Sequence, residues 1–322
     1  MDKIWITWEN QRRSIELSKI LNAKLFLLQY SGLQRYIKLT YETIKILQIN
    51  RPVILFVQNP SMILTTIACI YKIIKGNILI VDRHTTFLLN KRFKYTPTLL
   101  LFIILHKLTI RIADLTIVTN EFLASIVIKL KGNPFVLPDK LPTLVGSRKI
   151  KLNGTKNVLL ISSFDFDEPI NEIFVAMKSF IKNKIYLYIS GNYKKLYKKI
   201  IKNKPFNVIL TGYLSEEDYV NILFSVDIVM VLTTADYVML CGCYEAISAE
   251  KPLITSNKKV LKDYFKGAIF VENEAKFITL GLQEALNNTS YYQREIVKLK
   301  RLLENNWSLT FNSLEKKVSH LT

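Results

Sequence analysis

Short apolar runs alternate with longer amphipathic segments along almost the whole chain. In the first half, six apolar runs have the length of β-strands: 4–8, 24–28, 53–57, 78–81, 115–118 and 135–137. The segments between them predict helices: 11–21, 33–48, 62–74, 98–113 and 121–130. A repeat of strand, helix and strand predicts a parallel sheet that is covered by helices on both faces.

The second half repeats this alternation after a polar stretch at 146–156. Its predicted strands are 158–161, 185–189, 208–210, 228–232, 253–255 and 269–271. We therefore expect an α/β protein with two doubly wound, Rossmann-like domains that face a central cleft. The predicted divisions are 1–147, 148–290 and C-terminal helices at 291–322. Ligands of such sheets lie beyond the carboxyl ends of the strands, so function is expected in the strand-to-helix loops.

Composition narrows the partners only partly. The chain has 322 residues and a formal net charge of +19, which attracts anions such as nucleotides, nucleic acid or acidic lipid, although a Lys-rich genome bias explains the charge equally well. No zinc-finger, helix-turn-helix or stacked-aromatic pattern supports nucleic acid. The chain has three cysteines, too few for a disulfide framework, and an N-terminus unlike a secretory signal, which together favour a reducing, cytoplasmic location.

One strand-to-helix loop carries an unusual carboxylate. The loop follows the apolar strand at 228–232, and its helix is expected to begin near Leu240. Glu245 then lies in the first turn and a half, where Gly242 keeps the surrounding surface low. A carboxylate there can accept two ribose hydroxyls while backbone N–H groups face a phosphate. The alternative is a glutamate that only complements the helix dipole.

Charged residues also follow the first strand. Glu9, Arg12 and Arg13 lie at the start of the first predicted helix. An arginine at this position can reach a phosphate, and Glu9 can orient or activate an acceptor hydroxyl. An ordinary solvated helix start is the competing interpretation.

Other polar residues end the following strands of the first half. The candidates for sugar binding are Gln58, Asn59, Asp82, His84 and Asn120. Amides and a neutral imidazole can each hydrogen-bond a sugar hydroxyl. For the histidine, a structural role is the alternative.

The segment YEAISAEKPLITS resembles the Glu-Ala-x-x-x-Gly-x-Pro-x-Ile-x-Ser signature of GT-B glycosyltransferases, particularly the large retaining family of bacterial polysaccharide enzymes. SSFDFDEP, YISGN, NVILTGYLSEEDY, LTTADYVMLCGCYEA and LKDYFKGAIFVENE follow in the order of a GT-B nucleotide-binding domain. WITWENQRRSIEL, FVQNPS, VDRHTTF, ADLTIVTNEFLA and VLPDKLP resemble the amino-terminal, acceptor-side domain of such enzymes. The likeness covers nearly the whole chain.

The resemblance implies a GT-B fold whose last helix packs back on the first domain. It also implies that Glu245 binds the ribose of a nucleotide sugar, that His84 lies near the donor sugar, and that Tyr213 lies beside the nucleobase. Further residues expected on the nucleotide side are Ser163, Gly191, Thr211, Gly212, Gly242 and Tyr244.

The chain departs from the family pattern at three places. Tyr237 stands where the family has a first glutamate, and the adjacent Asp236 is the candidate for its contact with the donor sugar. SSFDFDEP has no match for the Arg and Lys that grip the diphosphate, so Arg12 or Arg13 is expected to stabilise charge on the leaving group. Glu250 replaces the signature glycine.

The function that the resemblance implies is a hexosyltransferase-type glycosyltransferase. It would move a sugar from a UDP- or GDP-sugar to a hydroxyl of a glycan or polyprenyl-linked acceptor, in surface polysaccharide or glycoconjugate biosynthesis. No obligatory cofactor or metal is expected, because Asp165 and Asp167 lack a third ligand. The alternatives are a catalytically inactive binding or scaffold module with the same fold and a nucleotide-sugar epimerase.

An apolar segment at 98–108 has cations around it: Lys91, Arg92 and Lys94 lie upstream, and Lys107 and Arg111 lie nearby. Apolar residues flanked by cations are typical of a monotopic contact with an anionic membrane, here the inner face of the plasma membrane. Its uncharged core, 99–105, is too short for a span of about 20 residues. A helix buried in the first domain has the same apolar content and is the alternative.

Overall fold

The computed structural model describes residues 2–59, 61–84, 97–146, 148–195 and 198–321. The chain forms two compact units: a first unit, Met1–Asp139 with Trp307–Thr322, and a second unit, Lys140–Asn306. Each unit is built on a six-stranded parallel sheet. The predicted fold class, α/β with doubly wound units, is confirmed. Each strand and helix range predicted above agrees with the structure to within two residues at either end.

The first unit has the sheet order β2-β1-β3-β4-β5-β6. Its elements in chain order are β1 (Lys3–Thr7), α1 (Arg12–Ile20), β2 (Lys24–Leu27), α2 (Arg35–Asn50), β3 (Ile54–Asn59), α3 (Met62–Lys75), β4 (Ile78–Arg83), α4 (Pro97–Ile112), β5 (Leu115–Val118), α5 (Glu121–Lys129) and β6 (Pro134–Val136). The strand order reverses between β1 and β3, which is where such sheets bind ligands.

The central strands of this unit explain why polar groups meet at one edge. Every residue of β3 is buried, as expected for a parallel strand that is covered on both faces. Its last two residues are Gln58 and Asn59, which pair in register with Asp82 and Arg83 at the end of β4. Four polar side chains therefore lie together at the carboxyl ends of neighbouring strands.

The second unit has the order β12-β11-β10-β7-β8-β9, with its reversal between β7 and β10. Its elements are β7 (Lys156–Ile161), α6 (Ile170–Lys178), β8 (Ile185–Ser190), a 3-10 turn (Tyr193–Lys195), α7 (Lys198–Lys202), β9 (Val208–Gly212), α8 (Glu216–Ser225), β10 (Ile228–Val231), α9 (Cys241–Ser248), β11 (Leu253–Ser256), α10 (Lys259–Tyr264), β12 (Ile269–Val271) and α11 (Ala275–Asn287).

The chain ends in one long helix, α12 (Thr289–Ser319), where the sequence suggested several. Leu299 and Leu303 of this helix pack into a core of the second unit. Further along, Trp307 and Phe311 stack on each other and join a core of the first unit. A single helix thus contributes to both hydrophobic cores.

Candidate active site

Arg13 lies in the first turn of α1, the helix that follows β1, and is held between two carboxylates of the first unit. Its Nε donates to both oxygens of Asp82, at 3.0 and 3.1 Å, and its Nη1 donates to Asp139 at 2.7 Å. Its Nη2 donates to the carbonyl of Leu137, and only 8% of the side chain is exposed. Burial alone would lower the pKa of Arg13, but the two carboxylates raise it above its ordinary value. The guanidinium therefore fixes Asp82 at the end of β4, and its predicted contact with a phosphate stays a prediction.

Glu9 and Arg12 have more open surroundings. Glu9 is exposed and accepts a hydrogen bond from Gln11 at 3.0 Å. Arg12 pairs with Glu16 one turn along α1, with about half of its side chain exposed. Both side chains can turn toward a ligand without leaving a buried charge behind.

Gln58 and His84 carry buried polar atoms at the reversal of the first sheet. The Gln58 side chain is 2% exposed, and its Oε1 accepts from the hydroxyl of Thr7. Within the described residues, Gln58 Nε2 and His84 Nδ1 are buried and have no hydrogen-bond partner. Burial lowers the pKa of His84 against the opposing effect of Asp82, so the imidazole is neutral. Buried polar atoms of this kind fit sugar hydroxyls, the ligands predicted for both residues.

Asn59 and Asn120 are engaged in the fold. Asn59 Oδ1 accepts from Arg83 at 3.2 Å, and Arg83 also lies 2.8 Å from His106 Nδ1. Burial lowers the pKa of Arg83 to about 10 and, with Arg83 beside it, that of His106 to about 3. Asn120 caps α5 by accepting from the N–H of Leu123. The predicted contact of each asparagine with a sugar stays a prediction.

Glu245 of the second unit lies in the second turn of α9, whose N-cap is Leu240 as expected. The carboxylate is partly exposed and accepts from the hydroxyl of Tyr219 on α8. Gly242 lets this helix approach the sheet, since a Cβ there would lie about 3.0 Å from Ile161. A fixed, partly exposed carboxylate beside a helix N-terminus suits a pair of ribose hydroxyls.

The neighbours of Glu245 on α9 differ in accessibility. Tyr244 is buried and packs edge-on against Phe265, with 5.1 Å between the ring centroids. This burial does not support its predicted contact with a nucleotide. Cys241 is exposed at the start of the helix. Burial raises the pKa of Cys243 to about 12, as it does that of Cys69 in the first unit.

Asp236 lies on the loop between β10 and α9, with 81% of its side chain exposed. Its Oδ1 pairs with Nζ of Lys258 at 2.7 Å. The next residue is Tyr237, which stands at the place of the expected glutamate. Burial and the nearby Asp167 raise the pKa of its phenol, so it stays protonated.

The loop after β7 encloses a carboxylate instead of offering a cation. Glu168 accepts from the hydroxyl of Ser162, from the N–H and hydroxyl of Ser163 at 2.8 and 2.7 Å, and from the N–H of Phe164 at 3.2 Å. Asp167 accepts from the hydroxyl of Thr233 on the next loop. Ser163, a predicted nucleotide contact, is thus bonded to its own loop. No group of three or more His, Cys, Asp or Glu in the described ranges is placed to hold a metal ion.

Two glycines shape the loops after β8 and β9. Gly191 has φ +116°, and a Cβ there would lie 2.0 Å from the carbonyl oxygen of Ser162. Gly212 has φ +76° and turns the chain. The hydroxyl of Thr211, the residue before it, donates to the carbonyl of Ile189. Tyr213 follows and is 91% exposed, so its ring is accessible, and its predicted contact with a nucleobase stays a prediction.

Four residues that contact the predicted site residues or their loops are absent from the sequence-based predictions: Asp139, Glu168, Tyr219 and Lys258. Glu168 and Lys258 follow the carboxyl ends of β7 and β11, so the position of their strands could have identified them. Asp139 and Tyr219 become relevant only through contacts with residues that are distant in sequence, for which the pattern gives no signal.

Comparison with known proteins gives one family match. Residues 147–301 match the family model described as glycosyl transferases group 1. The resemblance drawn from the sequence is thereby confirmed. No curated protein matches the sequence.

Solved structures with low sequence identity share the fold. A sucrose-phosphate synthase from Thermosynechococcus elongatus aligns over 100% of both chains, with 11% identity and a TM-score of 0.77. Anabaena HepE in complex with UDP and glucose aligns over 98% of this chain and 91% of its own, at 10% identity and a TM-score of 0.73. A TarM variant from S. aureus, in complex with fondaparinux, alpha-GlcNAc-glycerol and UDP, aligns over 88% of this chain and 58% of its own. The sequence identity is 18% and the TM-score is 0.63. The fold is GT-B.

Proposed function

We propose that this chain, a glycosyltransferase whose residues 147–301 match the model of glycosyl transferases group 1, takes its sugar from a UDP-sugar. The main support is the position of Glu245, a partly exposed carboxylate in the second turn of α9 that accepts a hydrogen bond from Tyr219. UDP is favoured because HepE and TarM both bind it. The ribose hydroxyls would donate to Glu245, and the exposed ring of Tyr213 would lie against the base.

In the reaction, the bond between the sugar C1 and the diphosphate oxygen breaks, and a bond from C1 to the acceptor oxygen forms. The acceptor hydroxyl loses its proton, and UDP leaves with the electron pair. Asp236 would accept a hydrogen bond from a hydroxyl of the donor sugar. His84, kept neutral by burial, and Gln58 would each hydrogen-bond a sugar hydroxyl. Glu9, which is exposed, would orient or deprotonate the acceptor.

The test is isothermal titration of UDP, GDP, CMP and dTDP into wild type and Glu245→Gln. We expect UDP to bind, with an affinity at least about tenfold lower in the variant because a charged acceptor of two hydroxyls is lost. Glu250→Gln is the matched control, since Glu250 follows the C-terminal end of α9 and pairs with Lys300. If no nucleotide binds to folded wild type, the proposal fails and the inactive module takes its place.

We further propose that the acceptor is a lipid-linked glycan of surface polysaccharide biosynthesis, met at an anionic membrane. The support is α4, which exposes large aliphatic side chains: Leu100, Leu101, Ile103, Ile104 and Leu108. Helix α3 packs against α4 and adds exposed isoleucines: Ile63, Ile70, Ile73 and Ile74. Such a surface with Lys107 exposed within it is typical of a monotopic contact.

Lys91, Arg92 and Lys94 lie outside the described residues. None of the helices in the described part of the chain combines the length and apolar content that a membrane span needs.

The membrane contact is tested by sedimentation with vesicles of phosphatidylglycerol and phosphatidylcholine, and with phosphatidylcholine alone. We expect wild type to bind the anionic vesicles, and the double variant Leu101→Ser, Ile104→Ser to lose most of that binding. Leu280→Ser is the control, because Leu280 is equally exposed but lies on α11 of the second unit. Equal sedimentation of all three proteins would contradict the contact.

A further inference from the structure

We infer that Lys258 is the residue through which this chain binds the diphosphate of its donor. The inference rests on the proposed function, because it assigns the phosphate contact within the same nucleotide site. The segments that follow β7 and β10 carry several negative charges. Asp167, Glu168, Asp236 and Glu245 all lie on loops or the helix that follow β7 and β10, and a nucleoside diphosphate adds further negative charge there.

The position of Lys258 brings a cation to this edge. Strand β11 pairs with β10 in parallel register, Thr255 lying beside Val231. Lys258 follows the end of β11 by two residues, and its side chain reaches back to Asp236, on the exit loop of β10. Its ammonium group thus lies at the loop that leads into α9 and Glu245, next to the reversal of the sheet between β7 and β10.

The base of this side chain is fixed by a network that joins three strand exits. Ser256 Oγ accepts from the N–H of Thr233 at 2.9 Å and donates to Asn273 Oδ1 at 2.7 Å. Asn273 Nδ2 donates back to the carbonyl of Thr233 at 2.8 Å. The N–H of Lys258 donates to the carbonyl of Ser256 at 2.7 Å. The loops after β10, β11 and β12 therefore hold the lysine in place before a ligand binds, which favours binding.

The pairing with Asp236 leaves the ammonium available. Asp236 is 81% exposed, and an ion pair with one partner in water is weak. Only 20% of the Lys258 side chain is exposed, so its stem is packed while its charged end points at the loop. A phosphate oxygen can share or replace Asp236 as its partner, and three N–H donors allow both contacts at once.

The adjacent Lys259 provides a matched control. It has the same charge, begins α10, and is 87% exposed. It pairs with Asp263 one turn along its own helix instead of with the β10 loop. Long-range attraction of an anion by the basic surface would depend on both lysines alike, whereas a direct contact depends on Lys258 alone.

The experiment measures the binding of UDP by isothermal titration and of uridine by NMR titration. The proteins are wild type, Lys258→Gln, Lys258→Arg and Lys259→Gln, each first checked for an unchanged melting temperature. We expect Lys258→Gln to weaken UDP binding by about tenfold or more and to leave uridine binding unchanged, because uridine has no phosphate. Lys258→Arg should retain UDP binding, and Lys259→Gln should behave as wild type.

Each other outcome decides against the inference in a distinct way. Unchanged UDP binding in Lys258→Gln overturns it and leaves the proposed function standing. Equal losses for UDP and uridine mean that Lys258 shapes the loop and does not touch the phosphate. Equal losses in Lys258→Gln and Lys259→Gln mean general attraction by surface charge. Wild type that binds neither ligand overturns the inference together with the proposed function.

Discussion

The two units of this chain place charged residues at the carboxyl ends of similar parallel sheets, yet they treat those charges differently. In the first unit, Arg13 is enclosed by Asp82 and Asp139, and Arg83 is buried against His106. In the second unit, Asp236 is largely exposed and pairs with Lys258, and Glu245 is partly exposed and accepts from Tyr219. Position at a strand end therefore does not separate charged residues that stabilise the fold from charged residues that are proposed to meet a ligand, whereas burial of the charge does.

The largest expected effect comes from Arg13→Ala compared with Arg12→Ala. Removal of Arg13 leaves Asp82 buried without its counter-charge, which costs about 3–5 kcal/mol of the free energy of unfolding. Removal of Arg12 breaks an exposed pair worth at most about 1 kcal/mol. Urea unfolding followed by tryptophan fluorescence measures both, because Trp5, Trp8 and Trp307 all belong to the first unit. Similarly small losses in the free energy of unfolding of the two variants would show that the enclosed Arg13 stabilises the first unit no more than the exposed Arg12 does.

A second, intermediate effect is the response of the first unit to acid. All three histidines, His84, His106 and His320, lie in this unit. The pKa of His106 is about 3 in the folded chain and about 6.5 when unfolded, so the unfolded chain binds the extra proton between these values. The stability due to neutral His106 is full above pH 6.5 and is lost as the pH falls toward 3, by up to about 1.4 kcal/mol per pH unit.

The variant His106→Gln tests this dependence, because an amide oxygen can accept from Arg83 but does not titrate. We expect the free energy of unfolding to fall less steeply with decreasing pH in this variant than in wild type, while His320→Gln, with its exposed side chain, follows wild type. Parallel slopes in wild type and His106→Gln would show that carboxylates alone govern the acid response.

The smallest effect on stability is expected for Asp236→Asn. This carboxylate is exposed and has one partner, so its loss should change the free energy of unfolding by less than about 1 kcal/mol. If Asp236 contacts the donor sugar, the same variant should bind UDP-glucose more weakly while UDP binding changes little. A large drop in stability without that difference in binding would place Asp236 with the structural charges of the first unit.

The sheets could be predicted from the sequence because each central strand is an apolar run with polar residues at its end. β3 and β10 show this pattern, and neither needs a distant contact to define it. Glu245 was placed correctly on its helix, since the strand before it and Pro252 after it limit where α9 can lie. Its role in binding stays a prediction.

The partners of the charged residues could not be predicted. Arg13 is 69 residues from Asp82 and 126 from Asp139 in the sequence, and only the folded first unit brings them together. The same holds for Lys258 and Asp236, which belong to loops after different strands. A sequence shows which residues end a strand, but whether a neighbouring loop neutralises them depends on tertiary contacts.

The accessibility of the three cysteines makes the unmodified chain suitable for site-specific labelling. Thiol reagents attack the thiolate, and burial keeps Cys69 and Cys243 protonated, with pKa values of about 12. Cys241 is exposed and precedes Glu245 by about one helical turn. A maleimide fluorophore would therefore react at one position beside the proposed ribose contact, and its emission would report nucleotide binding without any substitution.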